Sequence, residues 1–175
     1  MCVRCLPVIL ILAIQFLSTS GQIAEKMLQQ HIRVLASDSL QGRKSGTEFE
    51  RKAALYIRNY FQKSGLRLLA DSGFQSFAYT GLSGPKMSQN VIAFLEGSDP
   101  VLKQECLVIG AHYDHIGKAR FPYSRRWLRG GIHYGADDNA SGTALMLEMA
   151  HELATKKGNL PRSIIFVAFG AEEEG

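Results

Sequence analysis

Apolar residues recur at helical spacing at Ile23, Met27, Leu28, Ile32 and Leu35, and the polar stretch Ser37-Asp38-Ser39 with Gly42 marks the exit. This pattern predicts a first amphipathic helix. Thr47 and Glu50 stand as a capping box, in which each side chain satisfies a backbone donor at a helix start. The second helix they open carries Phe49, Ala53, Ile57, Tyr60 and Phe61 on its apolar face and ends at Gly65. From Phe74 to Thr80 and from Asn90 to Leu95 the pattern becomes strand-like, and Gly81, Gly84 and Pro85 between them predict a strand pair. The runs 106–111 and 163–169 are apolar almost throughout, as are strands buried on both faces of a parallel sheet. Between them a third helix is expected from about Ala140 to Thr155, with Leu145, Met149 and Leu153 on one face and Gly158 after its end. Strand, helix and strand in this order imply a right-handed crossover and an α/β sandwich.

The N-terminus has a different organisation. Arg4 precedes a mostly apolar run from Leu6 to Leu17, and the small polar residues Ser18-Thr19-Ser20-Gly21 follow. That is the layout of a secretory signal peptide. Its apolar run of about twelve residues is shorter than the roughly 20 that cross a bilayer as a permanent helix. Residues 1–21 are therefore read as a cleaved signal, residues 22–175 as catalytic-domain sequence, and the protein as secreted or periplasmic with no permanent membrane span. The hydrophobic content of 46% over 175 residues is enough for a packed core and excludes a disordered chain. The net charge of +4 falls by one when Arg4 leaves with the signal, an excess too mild for a nucleic-acid binder. Cys2 and Cys5 leave as well, and Cys106 alone can form neither an intramolecular disulfide nor a cysteine-based zinc site.

In open α/β sheets the ligand site lies beyond the carboxyl ends of the strands. The first buried run is followed by His112-Tyr113-Asp114-His115, and the second by Gly170-Ala171-Glu172-Glu173-Glu174-Gly175. Gly135-Ala136-Asp137-Asp138-Asn139-Ala140-Ser141-Gly142 opens the connecting helix. Three clusters of potential metal ligands thus arrive at one edge of one sheet. Imidazole and carboxylate suit zinc in hydrolytic sites that keep a position open for water. One Asp can bridge two metals roughly 3.5 to 4 Å apart, and Asp138 at a helix N-terminus would be a rigid mount for that role. Adjacent glutamates beyond a strand end can divide the work between coordinating metal and taking a proton.

His112-Tyr113-Asp114, Gly135 to Gly142 and Ala171-Glu172-Glu173 resemble the three ordered motifs of the zinc aminopeptidase family that contains bacterial leucyl aminopeptidases, aminopeptidase Y and glutamate carboxypeptidase. Leu35-Ala36-Ser37-Asp38 through Gly42-Arg43 also resembles the entry segment of that family. The resemblance implies a three-layer sandwich around a mostly parallel mixed sheet and two zinc ions per complete catalytic domain. It also implies that His112 binds one zinc, Asp138 bridges both, Glu173 binds the other and Glu172 is the general base. Asp114 would hold the imidazole of His112 in its tautomer and orientation. The implied activity is release of N-terminal residues from peptide substrates.

Other residues are assigned lesser roles. Asp137 is read as a helix-capping partner, Glu174 as a solvated charge, and His115 and His133 as loop or pocket-rim residues. His151-Glu152 begins like an HExxH helix motif, but Thr155 occupies the position of the second His, so that motif is absent. Lys118, Arg120, Arg125, Arg126 and Arg129, interleaved with Phe121, Tyr123 and Trp127, are read as a solvated loop. The family pattern also needs a further Asp and a further His beyond the Glu-Glu motif. The sequence stops at Gly175, so it is read as a fragment, inactive or nearly so on its own. Two alternatives stand beside the peptidase: a glutaminyl cyclase-like acyltransferase with a single zinc, and an inactive binding module.

Overall fold

Helix α1 (25–35) brings Leu35 into the core, but it also buries a polar residue, His31. The computed structural model describes residues 25–81, 84–118 and 131–174. The expected signal segment 1–21 and the helix position Ile23 lie outside them, as do residues 119–130 of the basic loop. His31 Nδ1 meets the Tyr56 hydroxyl at 2.6 Å, and its Nε2 meets Glu148 Oε1 at 2.9 Å. Because those partners lie on α2 (Glu48–Lys63) and α3 (Gly142–Thr155), one imidazole ties three helices together.

Helix α2 starts where the capping motif predicts, with the Thr47 side chain accepting from Glu50 N. The reciprocal half differs, because Glu50 Oε2 accepts from Gly46 N at 2.7 Å. Glu50 Oε1 accepts from Ser88 Oγ, so this glutamate is buried with Ala53, Ala54, Ile57 and Phe61. Burial raises its carboxyl to about 7 despite the donors at Ser88 and Gly46. At the other end Gly65 adopts φ +83°, and Leu66 N donates to Phe61 O across the turn, as in a glycine-terminated helix.

Among the described residues five strands form one mixed sheet: β1 (Arg67–Leu68), β2 (Phe74–Gly81), β3 (Gly84–Leu95), β4 (Cys106–His112) and β5 (Ser163–Phe169). Strands β2 and β3 are the expected pair, in register from Phe74 opposite Val91 to Gly81 opposite Gly84. Strand β3 also pairs antiparallel with β1 and β5, and β5 pairs parallel with β4. The parallel character is thus confined to the β4–β5 pair among the described strands. Val91, Ala93 and Leu95 of β3 share a face with Ile164, Phe166 and Ala168 of β5, and these six belong to the same core as Phe61, Met146 and Leu147 of the helices. The described residues supply the sheet and a helical layer on this face. On the opposite face Ile92, Phe94 and Ile165 are intermediate, Val167 is buried and Phe169 is exposed.

Two expectations about burial are corrected. Run 106–111 is expected to be covered on both faces, yet β4 lies at the edge among the described strands, and Leu107 and Val108 are 55% and 64% exposed. Helix α3 buries Thr143, Ala144, Met146, Leu147 and Ala150, whereas Leu145 and Met149 of the predicted apolar face are exposed. The segment 142–150 is apolar or small at nearly every position, so periodicity alone does not select its inner face. None of the described helices is long and apolar enough to cross a membrane.

Leu147→Ala is expected to cost about 2–5 kcal/mol in urea denaturation, and Leu145→Ala less than about 0.5 kcal/mol. The reverse order would contradict the orientation of α3. A second expectation concerns Glu50, whose folded carboxyl titrates near 7 and unfolded carboxyl near 4.5. The folded state then holds the extra proton between these values, so this residue's contribution to stability falls as pH rises from 4.5 to 7. Glu50→Gln should remove that part of the pH dependence. Parallel stability profiles for the variant and the parent would contradict it.

Candidate metal centre

Strands β4 and β5 end side by side, with His112 opposite Phe169, so the segments that follow them leave from the same edge. The third segment, 135–141, reaches this edge ahead of α3. Gly135 allows the approach because its φ is +57°, and a Cβ there would collide with the carbonyl of Asp138 and the ring of His115. Asp138 and Asn139 have non-helical backbone, and the peptide between them is cis. Asp138 therefore lies on an irregular turn before α3, not at the helix N-terminus that the sequence suggested. Capping falls to Asn139, whose Oδ1 accepts from Gly142 N at 3.0 Å, and not to Asp137.

This architecture brings three of the predicted residues together. One ligand atom each of His112, Asp138 and Glu173 lie within 4.8 Å of one another. His112 Nε2 is 3.1 Å from Asp138 Oδ1. His112 Nδ1 is buried, with no hydrogen-bond partner among the described residues. The Glu172 side chain stands beside the group with Oε2 3.8 Å from His112 Nδ1, and it is 58% exposed. Imidazole, two clustered carboxylates and an orphaned ring nitrogen are a donor set that suits a divalent cation such as zinc.

Asp114 is buried beside His112. Its Oδ1 lies 3.8 Å from His112 Nδ1, too far for a hydrogen bond. The buried carboxylate instead accepts from Ser45 Oγ at 2.7 Å and from the backbone N–H groups of Glu172 and Glu173 at 3.1 and 3.2 Å. Asp114 thus anchors the turn that presents both glutamates. Ala171, at φ +58°, and Gly170, whose N–H donates to Asn90 Oδ1 at 3.1 Å, form the approach to that turn.

Three further residues have contacts that the sequence did not disclose. Glu174, read as a solvated charge, pairs with Lys44 Nζ at 2.9 Å and has a side chain only 12% exposed. His115, read as a rim residue, meets Glu173 Oε1 through Nδ1 at 2.7 Å. Arg43 is fully buried and donates to the carbonyls of Leu35, Tyr113, Tyr134 and Gly135. Burial lowers its guanidinium to about 10, and Asp114, Asp138 and Glu173 oppose that shift, so it remains a cation at neutral pH. The only sequence signal for Arg43 was its place in the entry segment.

Residues 90–175 match the profile of peptidase family M28. The chain is 35% identical over 139 residues to the alkaline phosphatase isozyme conversion protein of Escherichia coli, covering 77% of this chain and 39% of that protein. It is 36% identical over 88 residues to aminopeptidase YwaD of Bacillus subtilis, covering 50% of this chain and 16% of that protein. The chain therefore spans well under half the length of each of these relatives. Among solved structures, a Zn-dependent exopeptidase from Parabacteroides distasonis superposes with a TM-score of 0.63 at 20% identity, covering 87% of this chain and 47% of that one. A glutaminyl cyclase from Fimbriiglobus ruber superposes with a TM-score of 0.61 at 25% identity, covering 85% of this chain and 44% of that one. Both share the fold. The match to peptidase family M28 falls on residues 90–175, the stretch that supplies His112, Asp138, Glu172 and Glu173.

Proposed function

We propose that the protein is a zinc-dependent exopeptidase that releases N-terminal residues from peptides, with two zinc ions at the cluster of His112, Asp138 and Glu173. The observation that carries this reading is the meeting of those three ligand atoms within 4.8 Å beside the open carboxylate of Glu172. His112 and Glu173 would each bind one ion and Asp138 would bridge them. Two four-coordinate ions need more donors than three residues provide, so the natural protein would supply the rest from other positions. Bound zinc would polarise the scissile carbonyl and acidify water.

The remaining work falls to side chains. Glu172, its side chain 58% exposed beside the cluster, takes a proton from the attacking water and delivers it to the leaving amine. Asp114 keeps the Glu172 backbone in place through its N–H, so the carboxylate is not tied to Asp114. Export through the signal segment 1–21 and peptide substrates belong to the same proposal. Neither nucleic acid nor a permanent membrane span has a place in it.

A single-zinc acyltransferase of the glutaminyl cyclase kind is the second reading. It is favoured by the same compactness, since one imidazole and two carboxylates around one point are sufficient for one ion. Zinc analysis of the purified natural protein separates the two: two ions per chain are expected for the peptidase and one for the cyclase.

Glu172→Ala should lower kcat for a leucyl anilide by about 10²–10⁴-fold while zinc content stays at the parent level. Activity within tenfold of the parent would remove Glu172 from the base role. Chelation should abolish release of the N-terminal residue, and added zinc should restore it. Full activity without metal would sink the reading.

A further inference from the structure

We infer that His115 is a positioning residue for the metal site, holding one oxygen of Glu173 so that the other faces the ion. This rests on the zinc reading above and assigns a role to a residue that the reading leaves unused. The contact is direct, Nδ1 to Oε1 at 2.7 Å, between side chains only 13% and 20% exposed. An ionised carboxylate can only accept, so the hydrogen lies on Nδ1 and the imidazole is the donor. Little water competes for either partner.

The ring is itself held. His115 N donates to the carbonyl of Arg43 at 3.3 Å, which pins its backbone to the entry segment. The backbone of Gly135 passes so close that a Cβ there would stand 2.6 Å from His115 Cγ and Cδ2. The ring of His133 approaches edge-on, with centroids 6.5 Å apart. An imidazole confined in this way presents its N–H in one direction.

The consequence is a difference between adjacent glutamates on one turn. Glu173 is held twice by the 114–115 segment: Asp114 Oδ2 accepts its backbone N–H and His115 holds its carboxylate. Glu172 is hydrogen-bonded through its backbone, while its side chain is more than half exposed and comes no nearer than 3.8 Å to His112 Nδ1. A metal ligand gains from immobilisation, whereas a residue that takes a proton from one atom and gives it to another must reorient. His115 thus separates a ligand from a base in the sequence Glu172-Glu173. Hydrogen bonds to ligating groups tune metal affinity in this manner.

The test measures zinc affinity of the purified natural protein by competition with a chromophoric chelator, together with the visible spectrum of its cobalt form. His115→Ala should weaken binding of one ion roughly 10- to 100-fold. His115→Asn, whose amide N–H lies near the position of Nδ1, should restore affinity to within about threefold and leave the cobalt spectrum unchanged. Equal affinity of the parent and His115→Ala, when the parent does bind zinc, would overturn this inference alone. A cobalt spectrum that loses a nitrogen ligand in His115→Asn would also overturn it, because His115 would then coordinate metal directly. A parent that binds no zinc would sink both the metal reading and this one. Unfolding midpoints of the variants guard against a general loss of structure.

Discussion

The four hydrogen bonds of the Arg43 guanidinium tie together segments that must meet for the site to exist. Leu35 ends α1, Tyr113 follows His112, and Tyr134 and Gly135 lead into the turn that carries Asp138. Removing the side chain would take the donor from the buried carbonyls of Leu35 and Tyr113, at about 1–3 kcal/mol apiece. The charge matters as much as the hydrogen bonds. Clustered carboxylates repel one another, and a buried cation behind Asp114, Asp138 and Glu173 offsets part of that repulsion before any metal arrives. The entry segment, distant from the motifs in sequence, is thereby part of their support.

Asp114 performs the complementary task on the strand side. Its two oxygens gather Ser45 and the backbone of Glu172 and Glu173, so the end of β4 determines where the segment after β5 can run. The polar layer continues inward through Tyr113, whose hydroxyl donates to Gln89 O at 2.8 Å and accepts from Gln89 Nε2 at 2.7 Å. Glu50 and Ser88 lie in the same buried region, against Gly170, where a Cβ would stand 2.8 Å from Glu50 Oε1. Ligand placement therefore rests on a satisfied polar network below the site, which is the usual condition for tolerating buried charge.

Much of this was legible in the sequence because chemistry follows apolar runs in α/β proteins. The strands at 106–112 and 163–169, and the clusters just beyond them, could be read without any fold. Contacts between residues far apart in sequence could not. His115 with Glu173, Lys44 with Glu174 and Arg43 with its four carbonyls leave no local pattern, so two of these side chains were read as rim or solvent. The inner face of α3 was ambiguous because Ala144, Leu145, Met146 and Leu147 are apolar in succession. Strand β4 was read as covered because an apolar run records what a strand can bury. Whether it stands at an edge is decided by its neighbours, and among the described strands it has one.

The proposed zinc site requires an imidazole and two carboxylates, remote in sequence, to share bound metal. Anomalous diffraction at the zinc edge from crystals of the natural protein tests it most directly. Zinc is expected at about 2.0–2.2 Å from His112 nitrogen and from carboxylate oxygens of Asp138 and Glu173. Zinc bound at other residues, with these three free of it, would contradict the claim.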